Sequence, residues 1–335
     1  MKVALAGEAL IDFTSVGDLR FQGYCGGSPL NTAIAVARLG QQCGYITQLS
    51  TDLFGERLRR HLEDNGVDTR FVLSHPAPTS LAFVDRDGEA NRYQFLLQGT
   101  ADSLYAPTPL PVLPSETAIL LFGSVSLLVE PEATSVTALA MNHRDRVTLI
   151  FDPNVRPSLI LSPAAYRERC QSWIRASHIV KMSDDDLAYL SGASDVAETI
   201  DEWLEDGPVA LIVTSGSDGA RVFRRGEAPV HARSFQVPIA DTIGAGDTFS
   251  AATIVALLER GSATPQAVSS LSTPEWTDVL RFAAAAAALN CTRSGADPPT
   301  RRELRDFLDS ARVPNHAQLA SDDLPVRQGR HQRRK

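Results

Sequence analysis

Six short apolar runs recur along the chain: KVALAG (2–7), CGYITQL (43–49), AILLFG (118–123), VTLIF (147–151), HIVKM (178–182) and VALIV (209–213). Segments of helical length and periodicity separate most of them. Strands apolar on both faces need helices above and below, so the pattern predicts βαβ units and a mostly parallel sheet covered on both sides. Helix ends are legible in places. Ser28 reads as an N-cap with Pro29 at the first helical position, and Asp52 opens a helix that stops at Gly66. The stretch TSLAFVDRDGEANRYQFLL (79–97) alternates with a period of two around Asp87-Gly88. It predicts a hairpin, either a small β-flap projecting from the α/β body or an ordinary edge hairpin. After Ser310 the pattern fades into VPNHAQLASDDLPVRQGRHQRRK, which predicts a disordered tail from 311 to 335 with a solvated basic end.

Length and charge narrow the classes. With 335 residues, 43% of them hydrophobic, the chain can form one large α/β domain or two small ones. A formal charge of -8 argues against broad attraction to nucleic acid or to an anionic membrane, so an anionic ligand must be held locally. The start, MKVALAGEALIDF, lacks the pattern of a signal peptide, and no run reaches the roughly 18 to 20 apolar residues that span a bilayer. Cys25, Cys43, Cys170 and Cys291 form no CxxC and no Cys/His ligand spacing, which fits reduced thiols in a cytoplasmic protein without a zinc site.

The strongest chemical signal is DTIGAGDTFSAA (241–252). Gly244, Ala245 and Gly246 stand at the start of a helical run, where unpaired amides and the positive end of the helix dipole make an anion site. Asp247 follows at once. It reads either as a helix cap or as a base, and the local sequence leaves both open. A base suits phosphoryl transfer, with the backbone amides taking the charge on the moving group and the carboxylate taking a proton from the attacking hydroxyl. A dinucleotide fingerprint fits less well, because Phe249 stands where the third glycine belongs. The chain has no GxxxxGK[ST] loop.

DTIGAGDTFSAA resembles the C-terminal signature of the ribokinase-like (PfkB-type) carbohydrate kinases, and GGSPLNTAIAVARLG (26–40) resembles their N-terminal one. The resemblance covers residues 1–310. It implies a three-layer α/β/α kinase domain with a β-sheet lid over the sugar, which the 79–97 hairpin fits, and a homodimer formed through that lid. It implies sugar contacts from Asp12, Gly27, Asn31, the lid residue Phe95 and Asn154. In DPNVRP (152–157), Arg156 would steady the phosphoryl group. Asp247 becomes the base, with Gly244, Ala245 and Gly246 as the anion hole. Lys181, Thr214, Gly216, Gly219 and Gly246 fall at nucleotide positions. Ala284 replaces an Asn often found beside the base.

ATP and Mg2+ are implied with them. Ser183 and Asp186 replace the Asn and Glu of the family's NxxE motif, so a magnesium-linked role for Asp186 rests on an altered pattern; a helix start capped by Ser183 would look the same. A monovalent cation such as K+ is implied near Asp241. GEALIDF, LSTDLFG, GTAD and CTRSGADPP point to the fructokinase branch, with 2-keto-3-deoxygluconate kinase and ribokinase as alternatives. A non-catalytic sugar-binding regulator and a dehydrogenase are the readings from other classes.

Overall fold

The computed structural model describes residues 1–85, 92–192 and 194–311. The chain begins with β1 (Val3–Ala6), then leaves the body for β2 (Leu10–Ser15) and β3 (Phe21–Gly26). It returns through α1 (Ser28–Arg38), β4 (Cys43–Ser50), α2 (Leu53–Asp64) and β5 (Asp68–His75), then departs again for β6 (Ser80–Asp85) and β7 (Arg92–Leu96). Strands and helices next alternate: β8 (Ile119–Gly123), α3 (Glu132–His143), β9 (Thr148–Asp152), α4 (Pro163–Ala176), β10 (Ile179–Ser183), α5 (Asp184–Ser191), α6 (Val196–Asp206) and β11 (Ala210–Thr214). The last strands are β12 (Ala220–Phe223) and β13 (Val230–Ala232), followed by α7 (Ala245–Glu259), α8 (Pro265–Ser269), α9 (Thr273–Cys291) and α10 (Arg301–Ser310).

The body sheet has nine strands in the order β13-β12-β11-β10-β9-β8-β1-β4-β5. It is parallel from β5 to β11 and antiparallel at the β12–β13 edge. Each central strand feeds two cores because successive side chains point to opposite faces. Val3 and Leu5 join one core while Ala4 and Ala6 join the other, and Ile119 and Leu121 are likewise divided from Leu120 and Phe122. Helices α1, α2 and α7 to α10 cover the first face, and α3 to α6 cover the second. That gives the α/β/α layering. Among the described residues no helix is long and apolar enough to cross a membrane.

All six predicted strands of the body are present. The 79–97 stretch forms β6 and β7, and its predicted Asp87-Gly88 turn lies outside the described residues, as does the predicted tail beyond Ala311. The hairpin belongs to a separate four-stranded sheet, β3-β2-β6-β7, whose first two strands the apolar pattern does not mark off from the body. Cross-strand register sets Asp12, Ala82 and Phe95 in one row across this lid. Its other anchor is aromatic: Phe13 stacks on Phe83 at 5.3 Å and meets Phe54 of α2 edge-on at 5.7 Å.

Chain order places the site. From β1 the chain builds outward to β4 and β5, then crosses back to β8, so the strand order reverses between β1 and β8. Ligands of open α/β sheets collect at the carboxyl ends of strands at such a reversal.

Candidate active site

A cleft of about 510 Å³ lies between lid and body, lined by Asp12 and Phe95 from the lid, Gly27, Ser28 and Asn31 where α1 starts, and Asn154, Arg156 and Lys181 near the strand ends. The loop from Ala240 to Gly244, with Gly246 and Asp247, closes it. A second cavity of about 250 Å³, mostly apolar, is lined by Thr214, Gly216, Gly219, Phe249, Ala284, Ala288 and Cys291. Ile239, Thr242 and Gly246 line both. The two cavities therefore share a wall at the turn that opens α7.

That turn removes the cap reading of Asp247. Gly244 is the N-cap, in left-handed conformation with φ 76, so the cap position carries no side chain. A β-carbon there would also stand 2.7 Å from the Ala296 methyl, which makes glycine a requirement. Asp247 is the third helical residue and caps nothing. Its Oδ1 accepts the Ser28 hydroxyl at 2.7 Å and its Oδ2 accepts the Asn31 side-chain amide at 2.9 Å. The expected cap at Ser28 moves accordingly: α1 begins at Ser28 itself, Gly27 precedes it, and the Ser28 hydroxyl is spent on Asp247. Ala245 donates its amide to the Thr242 carbonyl at 3.2 Å. The amides of Gly244, Gly246 and Asp247 have no acceptor among the described residues.

Under the turn lies a buried ion pair. Lys181 Nζ donates to Asp152 Oδ2 at 3.0 Å, and the Ser250 hydroxyl donates to the same oxygen at 3.0 Å. Asp152 Oδ1 is buried with no partner among the described residues. A β-carbon added to Gly246 would be 3.1 Å from Lys181 Nζ, so the ammonium lies close under the first turn of α7.

The other predicted residues divide between the two cavities. Asp12 sits in the middle of β2 and shares the cleft with Asn154 and Arg156. Arg156 is held by its own backbone neighbourhood, donating to the carbonyls of Asn154 and Val155. Asn154 and Ser124 both take positive φ, 38 and 61, a mark of backbone held in place at a cleft. Thr214, Gly216 and Gly219 lie on the apolar cavity with Ala284.

Asp186 stands outside both linings. Its Oδ1 accepts the Val155 amide at 2.8 Å and its Oδ2 the Ser183 amide at 2.9 Å, while Ser183 Oγ accepts the Asp186 amide in return. The pair forms a capping box that braces the strand-end loop carrying Arg156. Asp241 accepts the amides of Ile243 and Gly295, tying the loop before α7 to the one after α9. Among the described residues no cluster of three or more His, Cys, Asp or Glu could hold a metal ion.

Sequence reasoning missed Glu8, which lines the cleft, and the partnership of Ser28 with Asn31. Their i, i+3 spacing, which puts both on one face of α1, was the available signal.

Burial gives the site an unusual proton affinity. It pushes the Asp12 carboxyl up to about 6, against the pull of Arg156 and with the help of Asp247, and it pushes Glu8 up to about 7. Both groups bind protons more tightly folded than unfolded. Their contribution to stability is greatest where both states are protonated, below ordinary carboxylate values, and is lost as pH rises through about 6 to 7. The thermal midpoint should therefore fall between pH ~4 and ~7, and Asp12→Asn should flatten the lower half of that fall. A midpoint that rises steadily over the range would contradict this.

The pfkB family carbohydrate kinase model matches residues 2–302. The chain belongs to this family. It is 33% identical to a fructokinase of Rhizobium leguminosarum bv. trifolii over 80% of this chain and 83% of that protein. It is 34% identical to fructokinase-1 of Oryza sativa subsp. japonica over 91% and 97%. A crystal structure of fructokinase with bound ATP from Xylella fastidiosa superposes with a TM-score of 0.84 at 28% identity, covering 92% of this chain and 99% of that one. Aminoimidazole riboside kinase from Salmonella enterica, complexed with aminoimidazole riboside and an ATP analog, gives 0.79 at 27% identity, covering 92% and 100%. As a pfkB family member the protein is a sugar kinase with the ribokinase-like fold, as its sequence signatures implied.

Proposed function

We propose that the protein transfers the γ-phosphoryl group of ATP, entering as its magnesium complex, to a hydroxyl of D-fructose. The observation that carries this reading is the position of the Asp247 carboxylate, gripped by Ser28 and Asn31 at the wall shared by a polar and an apolar cavity. The sugar occupies the cleft under the lid, where Asp12 and Asn31 offer an acceptor and a donor to its hydroxyls. Adenine enters the apolar cavity beside Ala284 and Ala288. Asp247 accepts the hydroxyl proton as the sugar oxygen bonds to the γ-phosphorus. The bond from that phosphorus to the bridging oxygen breaks, and ADP leaves with the electron pair. The open amides of Gly246 and Asp247 and the nearby Lys181 ammonium meet the charge on the transferring group. Magnesium bound to the phosphates would neutralise part of their charge.

Fructose is favoured by the two fructokinase relatives described above, 33% and 34% identical. The fold alone does not choose, since a riboside kinase shares it. ADP release should be measured with MgATP and a panel of fructose, ribose, 2-keto-3-deoxygluconate, adenosine and glucose. Fructose should give the highest kcat/KM. Ribose or ketodeoxygluconate ahead by more than about tenfold, some 1.4 kcal/mol of transition-state binding, would move the assignment within the family. Sugar binding without turnover on any member would instead favour a non-catalytic regulator.

A further inference from the structure

Glu8 joins parts of the chain that phosphoryl transfer needs held together. It follows β1 across Gly7, is only 2% exposed, and gives one carboxylate oxygen to each of two amides. Oε1 accepts from the Ser28 amide at 3.3 Å and Oε2 from the Ser126 amide at 3.1 Å. Its backbone is pinned as well: the Tyr45 hydroxyl donates to its carbonyl at 2.5 Å, and a β-carbon at Gly27 would stand 2.7 Å from that oxygen. Ser28 is the residue whose hydroxyl grips Asp247. Ser126 belongs to the short 3-10 turn Ser124–Leu127, whose Ser124 and Val125 also line the cleft.

We propose that Glu8 is a positioning residue for the proton acceptor: by clamping the first amide of α1 to the Ser124–Leu127 turn, it fixes the Ser28 hydroxyl that orients the Asp247 carboxylate. The inference rests on the reading of Asp247 as the base. Only the carboxylate can accept both amides fully; a protonated carboxyl gives up part of its acceptor capacity to the O–H. Burial pushes this carboxyl up to about 7, with Asp102 adding to the rise, so the clamp tightens as pH passes through neutrality. Burial raises Asp102, and it raises Glu132 on α3 and Tyr45 on β4 well above their ordinary values. On the cleft side stand Asp12, pushed up to about 6, together with Asp247, Arg156 and Lys181.

In Glu8→Gln the side-chain amide can accept one N–H but turns its own N–H groups toward the other. With fructose and MgATP, kcat should fall by about tenfold or more, the scale of a sub-ångström misplacement of a catalytic group, while the Kd of ATP changes less than about twofold. The limb near neutrality should disappear from the pH profile of kcat. Glu8→Asp keeps the charge but is too short to reach both amides, so kcat should fall with the limb retained. Either variant, folded and turning over within about twofold of the parent, overturns the proposal, because such a loss is well below that of a misplaced base. A parental kcat that stays flat from pH ~6 to ~8.5 overturns it with no variant needed, since a group titrating near neutrality would leave a limb there. Asp247→Asn is measured alongside. Parental turnover in that variant overturns the base reading itself, and Glu8 effects in an enzyme indifferent to Asp247 would mark a general packing role and overturn the positioning one.

Discussion

Asp247→Asn should lower kcat by a factor on the order of 10² to 10⁴ while leaving the fold and the affinity for ATP nearly intact. The substitution keeps the shape of the side chain. Its Oδ1 can still accept the Ser28 hydroxyl, and Asn31 can reverse its side-chain amide to present oxygen where it now presents nitrogen. What is lost is the capacity to take a proton. Because Gly244 holds the cap position, no capping contribution is removed, and the melting temperature should move little. Turnover within about threefold of the parent, in a variant that is folded by circular dichroism and binds fructose and ATP, would leave the mechanism without its base, as that factor falls far short of a general-base loss.

Lys181→Met should have the largest effect on stability. Removing one partner of a buried pair leaves the other uncompensated, at a cost of about 3 to 5 kcal/mol. Here the stranded group would be Asp152, already with one oxygen unpartnered among the described residues. Burial raises the Asp152 carboxyl and Lys181 lowers it, so without the lysine its proton affinity climbs further. The deficit should therefore be greatest above neutrality and shrink as acid neutralises the carboxyl. Denaturation midpoints of parent and variant at two pH values test this. Equal midpoints on the alkaline side would show that the pair contributes nothing net. Turnover should fall too, since the ammonium lies under the Gly246 turn.

The body was legible in the sequence because its strands are apolar on both faces and bounded by turn residues, so AILLFG and VALIV could hardly be anything but covered strands. The lid was only half legible. β2 and β3 are partly exposed and interrupted by Asp12, Thr14 and Gln22, so they lack the continuous apolar signal of the body. The site divides in the same way. The glycines and carboxylate of GAGD announced a helix start for anions, but the grip on Asp247 comes from α1, whose Ser28 lies 219 residues away in sequence. No local pattern encodes such a contact. Glu8 was hidden for a related reason: its partners are backbone amides of Ser28 and Ser126, and amides have no letter in a sequence. The family resemblance supplied Asp12, Asn31 and Asp247 together because it carries that long-range pairing implicitly.

The four-stranded sheet that bears Asp12 and Phe95 is joined to the rest through connections, with its own hydrogen-bonded register, while Asp247 and Lys181 belong to the layered body. In the proposed mechanism two of the acceptor's contacts, Asp12 and Phe95, thus lie in a different sheet from the chemistry on the phosphate. Changes on the lid can retune which alcohol is accepted without rebuilding the machinery that moves the phosphate. One scaffold can in this way diversify its clientele by drift in its smaller sheet, and for engineering a new acceptor preference, β2, β6 and β7 are the place to vary while the Gly244–Asp247 turn is left untouched.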